Sequence, residues 1–215
     1  MTEPRFPKFD PAAADFWEAR YRENFIPWDA GQVPRLLIAY ASRVTAPHKT
    51  LVPGCGSGYE VRFLAEHGWD VLAIDFSPAA IAAAKKVLGP LADHVRQEDF
   101  FSSSLRPQEF DFVYERAFLC ALPRRMWSDW AKRNAELITP GGRLGGFFYF
   151  DEGERGPPFG LKAGELEGLL SPSFKIVETA TPQDSIKVFQ GKELWQVWER
   201  LPHDRVGKLR QPRIS

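Results

Sequence analysis

Gly54, Gly56 and Gly58 alternate with Cys55 and Ser57 directly after Leu51-Val52-Pro53, and a helical pattern, Glu60 to His67, follows them. Glycines so placed let the backbone turn without a Cβ and let a ligand press on the main-chain amides that open the next helix. A glycine trio alone is weak evidence, because a tight strand-to-helix connection would look the same. Asp75 adds weight to the ligand reading. It closes the apolar run Val71-Leu72-Ala73-Ile74, and a carboxylate at the end of a second strand can accept both hydroxyls of an unphosphorylated ribose. Asp99-Phe100 stands after a third strand, where an acid can accept from an adenine amino group and an aromatic can cover the ring. The dinucleotide fingerprint wants a glycine where this chain has Tyr59, so a nicotinamide-dependent dehydrogenase is the weaker reading. S-adenosylmethionine, which needs no pyrophosphate seat, is the better one.

The elements that must position these residues alternate along the chain. Strands are expected at Leu51-Val52, Val71 to Ile74, His94 to Gln97, Phe110 to Tyr114 and Arg143 to Phe150, with helices between several of them. Ser77-Pro78 opens an alanine-rich helix, since Ser suits an N-cap and Pro the first helical position. Met126 to Ile138 is a further helix. Two last strands, Phe174 to Thr179 and Glu193 to Glu199, are joined by a polar loop too short for a crossover helix, so they should pair antiparallel at one edge. The expected fold is α/β: a Rossmann-like, doubly wound, mostly parallel seven-stranded sheet with an antiparallel edge strand and helices on both faces. Such a sheet places its ligand outside the carboxyl ends of its strands, where Gly54 to Gly58, Asp75, Asp99 and the segment after Tyr114 all fall.

Three segments are expected: an aromatic, helical extension over residues 1–48, a cofactor-binding domain over 49–202, and a flexible tail over 203–215. In the extension, Asp15 is a candidate cap for a short helix carrying Phe16, Trp17 and Tyr21, with Pro27 stopping it and a second helix following Pro34.

Composition narrows the partners. Lys plus Arg and Asp plus Glu each number 28, so no basic surplus is available for a phosphate backbone. No apolar run has the length of a bilayer span, and Cys55 and Cys120 lack metal-site or disulfide-framework spacing. The expectations are a cytoplasmic monomer with a small-molecule partner, no nucleic acid, no membrane and no metal. His48, His67, His94 and His203 are read as structural or surface residues and the two cysteines as packing residues.

Beyond these patterns, Trp17-Glu18-Ala19-Arg20-Tyr21, Ile26-Pro27-Trp28-Asp29-Ala30-Gly31, Leu51 to Gly58, Glu98-Asp99-Phe100-Phe101, Phe118 to Leu122 and Gly156-Pro157-Pro158-Phe159 resemble the thiopurine S-methyltransferase-like family, and more closely its thiol and halide methyltransferase branch. The resemblance implies that Trp17, Tyr21 and Trp28 close over the cofactor, that Gly54, Gly56, Gly58, Asp75 and Phe76 hold it, that Asp99 and Phe100 receive adenine, and that Arg116 lines the site. Phe25, Arg116, Pro158 and Phe159 are the candidates for the acceptor's pocket, the Gly156 to Phe159 segment forming a lid. Tyr21 stands where many relatives have Trp, and Glu115-Arg116 where the thiol and halide branch often has an acid followed by Tyr. A thiol or sulfur heterocycle is the expected acceptor, ahead of halide, selenium or tellurium species and phenolic oxygen; a non-catalytic binding protein is the rival of another class. No catalytic base is named, since a thiolate already aligned with a sulfonium needs none.

Overall fold

The run Thr50-Leu51-Val52 can be a strand buried on both faces only if helices cover it from either side, and that is the arrangement in the computed structural model. The structure describes residues 10–44 and 48–202; the expected tail at 203–215, with His203, lies outside the described residues. Strands β1 (Lys49–Pro53), β2 (Asp70–Asp75), β3 (Val95–Gln97), β4 (Phe110–Arg116), β5 (Ile138–Tyr149), β6 (Phe174–Ala180) and β7 (Glu193–Arg200) form one sheet in the order β3-β2-β1-β4-β5-β7-β6. β1 pairs parallel with β2 and β4, β2 with β3, and β4 with β5. β7 runs antiparallel to both β5 and β6, so the closing pair sits at one edge of an otherwise parallel, Rossmann-like sheet.

Among the described residues six α-helices accompany the sheet: α1 (Ala14–Arg22), α2 (Arg35–Arg43), α3 (Tyr59–Glu66), α4 (Pro78–Leu88), α5 (Trp127–Leu137) and α6 (Glu165–Leu170). Side chains alternate across a strand, which sends Val52 and Phe112 to one face and Leu51 and Val113 to the other. On the first face they meet Leu37 and Tyr40 of α2, Val61 and Leu64 of α3, and Ile81 and Leu88 of α4. On the second they meet Trp130 and Leu137 of α5 and Leu166 and Leu170 of α6. The helix after β1 and the helix after β4 thus lie on opposite faces, and a crevice opens between the carboxyl ends of these two strands.

Local chemistry sets most boundaries. The Ser77 hydroxyl accepts from the Ala80 amide at 3.2 Å with Pro78 in the first turn of α4. Asp15, by contrast, is not a cap: the N-cap of α1 is Ala13, and Asp15 lies inside the first turn, where a carboxylate still favours the helix dipole. The helix also ends before Pro27, because Asn24 takes a left-handed φ of 51° and the Phe25 amide folds back onto the Arg20 carbonyl. α6 has no counterpart among the expected helices; its one-and-a-half turns are too short to show a periodicity.

Phe112 is fully buried, stacked on Tyr40 with ring centroids 5.2 Å apart and edge-on to Trp69 at 5.7 Å. Phe112→Ala should lower the unfolding free energy by about 3–5 kcal/mol, read as a fall in the urea midpoint at unchanged slope; a loss below ~1 kcal/mol would contradict this packing.

Candidate active site

A cavity of about 430 Å³ fills the crevice, within the usual range of roughly 300–1,000 Å³ for small-ligand sites. Its floor is the turn after β1. Gly54 and Gly56 hold φ of +59° and +52°, and a Cβ added to either would come within 2.6 Å of the Phe118 ring or the Tyr21 hydroxyl. The Asp75 carboxylate locks this turn to the end of β2, accepting from the Gly56 amide at 3.3 Å and the Ser77 amide at 2.9 Å. Burial pushes its pKa up to about 6 against the pull of these amides.

The N-terminal extension forms the opposite wall. Trp28 packs edge-on against Trp17 at 5.3 Å and against Tyr21 at 6.1 Å. Two acids fasten this wall to the sheet. Glu18 accepts from the Ser77 hydroxyl at 2.7 Å and the Ala79 amide at 2.8 Å, so α1 supplies a second cap to α4. Asp29 accepts from the Ser57 hydroxyl and, at 2.7 Å, from the Gly31 amide, tying the Ile26 to Gly31 turn to the glycine turn.

Strand order spreads the site along the sheet edge. At the β2 and β3 end, Phe76, Asp99 and Phe100 line the cavity, with the Phe100 ring 5.2 Å from that of Phe118. At the β4 end stand Tyr114, Arg116, Ala117, Phe118 and Cys120, joined by Pro158 from the proline loop and Val188 and Phe189 from the segment between β6 and β7; Phe25 from the extension also lines the cavity. Phe159 is placed differently. Its amide donates to the Cys120 carbonyl at 2.7 Å, and its ring packs into the core behind the cavity rather than lining it. That direction gives an apolar ring a dry contact, so Pro157 and Pro158 face the cavity without it. Trp17, Tyr21, Phe25, Trp28, Gly54, Gly56, Gly58, Asp75, Phe76, Asp99, Phe100, Arg116 and Pro158 are therefore brought around one cavity.

Arg116 has its Nε 3.9 Å from Glu60 and its Nη1 4.0 Å from Glu193, with the guanidinium 4.4 Å over the Phe147 ring. Arg116 Nη1, Glu193 Oε1 and the Tyr114 hydroxyl are buried with no hydrogen-bond partner among the described residues. Glu60, Tyr114, Glu193, Val188 and Phe189 were not singled out by sequence patterns. Glu60 falls in a helix and the last three in or beside a loop of polar composition, and only the sheet order brings them together. Both thiols are buried, which raises their pKa and leaves them protonated packing groups.

The loop leaving β4 is shaped by Glu115. Ala117 takes a left-handed φ of 56°, and the Glu115 carboxylate accepts from the Phe118 amide at 2.8 Å and the Leu119 amide at 3.0 Å. Burial pushes its pKa up to about 7, opposed by these amides, from an ordinary value of 4.5. Between the two values the folded chain holds a proton that the unfolded chain has released, so this group's contribution to stability rises as pH falls through that window. The stability of the wild type relative to Glu115→Gln should therefore increase from pH 7.5 to 4.5, measured as urea midpoints; a difference flat with pH would contradict it.

The profile described as Thiopurine S-methyltransferase (TPMT) matches residues 12–203. Thiocyanate methyltransferase 1 of Arabidopsis thaliana is 32% identical over 193 residues, covering 86% of this chain and 84% of that protein. Thiopurine S-methyltransferase of Photobacterium profundum is 30% identical over 73% of this chain and 82% of its own. In fold, the chain is similar to the 1,6-didemethyltoxoflavin-N1-methyltransferase of Burkholderia thailandensis, solved with S-adenosylhomocysteine bound, at TM-score 0.71 and 18% identity over 93% of this chain and 94% of that one. The chain belongs to the thiopurine S-methyltransferase family and is an S-adenosylmethionine-dependent methyltransferase.

Proposed function

We propose that this enzyme methylates a small sulfur nucleophile, a thiol or sulfur heterocycle, held at the β4 end of the cavity. The carrying observation is the division of that cavity: an acid and a glycine turn at the β1 and β2 end, and at the β4 end the apolar and aromatic surface of Ala117, Phe118, Val188 and Phe189 beside Arg116. The residues fit the cofactor on the structure's own terms, since the Gly54 and Gly56 turn has no room to spare for a Cβ and aromatic faces line the wall opposite it. When bound, S-adenosylmethionine supplies an electrophilic methyl on a sulfonium.

Asp75 would accept the ribose hydroxyls, and Asp99 and Phe100 would receive adenine. Trp17, Tyr21 and Trp28 would shield the cationic end, as aromatic faces attract a cation and exclude water. Phe25, Pro158, Val188 and Phe189 would confine an apolar acceptor and hold its sulfur in line. Transfer from a sulfonium to a thiolate cancels opposite charges, so a dry wall favours it more than a polar one. No helix among the described residues is long and apolar enough to cross a membrane; a cytoplasmic monomer with residues 1–48 acting as its lid is part of this reading. Halides, selenium or tellurium species and phenols are the secondary acceptors.

Calorimetric titration with S-adenosylhomocysteine, followed by turnover with a panel of thiols, tests the proposal. The wild type should bind and turn over. Asp75→Ala should lower affinity on the order of 100-fold while keeping the fold, since two hydrogen bonds to a charged acceptor are lost. Trp28→Ala should lower it roughly 10-fold. Wild-type affinity in both variants would overturn the placement of the cofactor, and turnover confined to non-sulfur acceptors would overturn the acceptor class.

A further inference from the structure

Arg116 is not a free positive charge. Glu60 and Glu193 flank it at 3.9 and 4.0 Å, and both carboxylates are largely buried, with side chains 15% and 4% exposed. Two acids against one base leave this end of the cavity negative when all three are ionised, and in a poorly hydrated site that imbalance opposes the entry of a bare anion. An acceptor that arrives neutral avoids the repulsion but brings its S–H proton with it, and that proton needs somewhere to go.

Five acids line the cavity. Asp75, Asp29 and Asp99 are committed to amides or hydroxyls, namely Gly56 and Ser77, Gly31 and Ser57, and Phe101 respectively. Glu98 is held by Ser102, Ser104 and Arg96. Glu60, in the first turn of α3, accepts among the described residues only from its own backbone amide and faces Arg116 across a gap too long for a hydrogen bond. Among the described residues no histidine lines the cavity, and its cysteines are buried neutral thiols.

We infer that Glu60 is the proton acceptor for a neutral thiol, with Arg116 holding the sulfur end as charge develops on it. This rests on the sulfur-acceptor reading above. As the acceptor sulfur bonds to the methyl carbon, its proton passes to the Glu60 carboxylate; the sulfonium carbon–sulfur bond breaks and its electron pair stays on the cofactor sulfur. The products are a methyl thioether, S-adenosylhomocysteine and a carboxylic acid at Glu60, which returns the proton to solvent when the site opens. Burial favours this exchange by raising the Glu60 pKa, with the Arg116 charge pulling it part of the way back. Glu193, more deeply buried and outside the cavity lining, balances Arg116 from behind.

The test is the dependence of Glu60→Gln on acceptor acidity, at one pH, with the full-length enzyme. Alkyl thiols less acidic than cysteine, whose thiol pKa is ~8.5, should lose on the order of 100-fold in kcat. Thiophenols already ionised at the assay pH should lose less than about threefold, because no proton remains to be removed. Glu60→Asp should restore part of the alkyl-thiol rate, and S-adenosylhomocysteine affinity by calorimetry should be unchanged in both variants. A loss equal across the series, or a fall in S-adenosylhomocysteine affinity, would overturn the role of Glu60 while leaving the sulfur-acceptor reading intact. A wild type that turns over no thiol at all would overturn both.

Discussion

The buried Asp75 carboxylate is the constraint on which the rest of the site depends. It stands at the end of β2 and accepts from amides on two separate loops, the turn after β1 and the cap of α4. Burying a charge is costly unless donors surround it, and main-chain amides are donors that no side-chain rotation can remove. To present the Gly56 amide, the chain leaving β1 must pass through positive φ at Gly54 and Gly56, and the Tyr21 hydroxyl and Phe118 ring then close over the space a Cβ would need. Acid, turn and aromatic cover are thus one arrangement, and a change in any one of them exposes or displaces another.

The same logic explains why the N-terminal extension belongs to the site. α1 is a short amphipathic helix with one buried residue, Phe16, and no side-chain cap of its own. Helices of this length are marginal in isolation. Glu18 and Asp29 supply what hydrophobic burial does not: each reaches a cavity-forming loop through a hydroxyl, and Glu18 and Asp29 each also satisfy an amide. Trp28 of the same wall packs on the buried cluster of Cys120, Tyr149 and Phe189, and Asp10 pairs with Arg125, so the extension is joined to the rest of the chain at several separate points.

The strands, their order of burial and the carboxyl-edge positions of the glycine turn, Asp75 and Asp99 are legible in sequence because each depends on a few neighbouring residues. An apolar run, a glycine cluster and a Ser-Pro cap carry their own instructions. What escapes are the long-range pairings. Glu18 meets Ala79, Glu60 meets Arg116, and Arg116 meets Glu193, pairs far apart in sequence, and no local pattern encodes these encounters. Phe159 illustrates the opposite failure: its place beside the cavity is readable, but the direction of its ring is set by the core behind Cys120. Asp15 shows the limit of cap signals, since Ala13 holds the N-cap position and Asp10 accepts from the Ala12 amide two residues on.

Charge along the cavity has a direction that follows from the strand order. Asp75 and Asp99 mark the end where hydroxyls and an amino group would be read, and they are acceptors. At the other end, Arg116 lines the β4 side, flanked by the two carboxylates of Glu60 and Glu193. Between them lie apolar and aromatic groups with little power to solvate a charge. A sulfonium placed there would be stabilised by ring faces rather than by a counter-ion. A neutral acceptor would gain its charge only during transfer and lose it in the same step. A site that offers its strongest polar contacts to the parts that do not react, and a dry aromatic wall to the part that does, leaves the binding energy where the charges cancel.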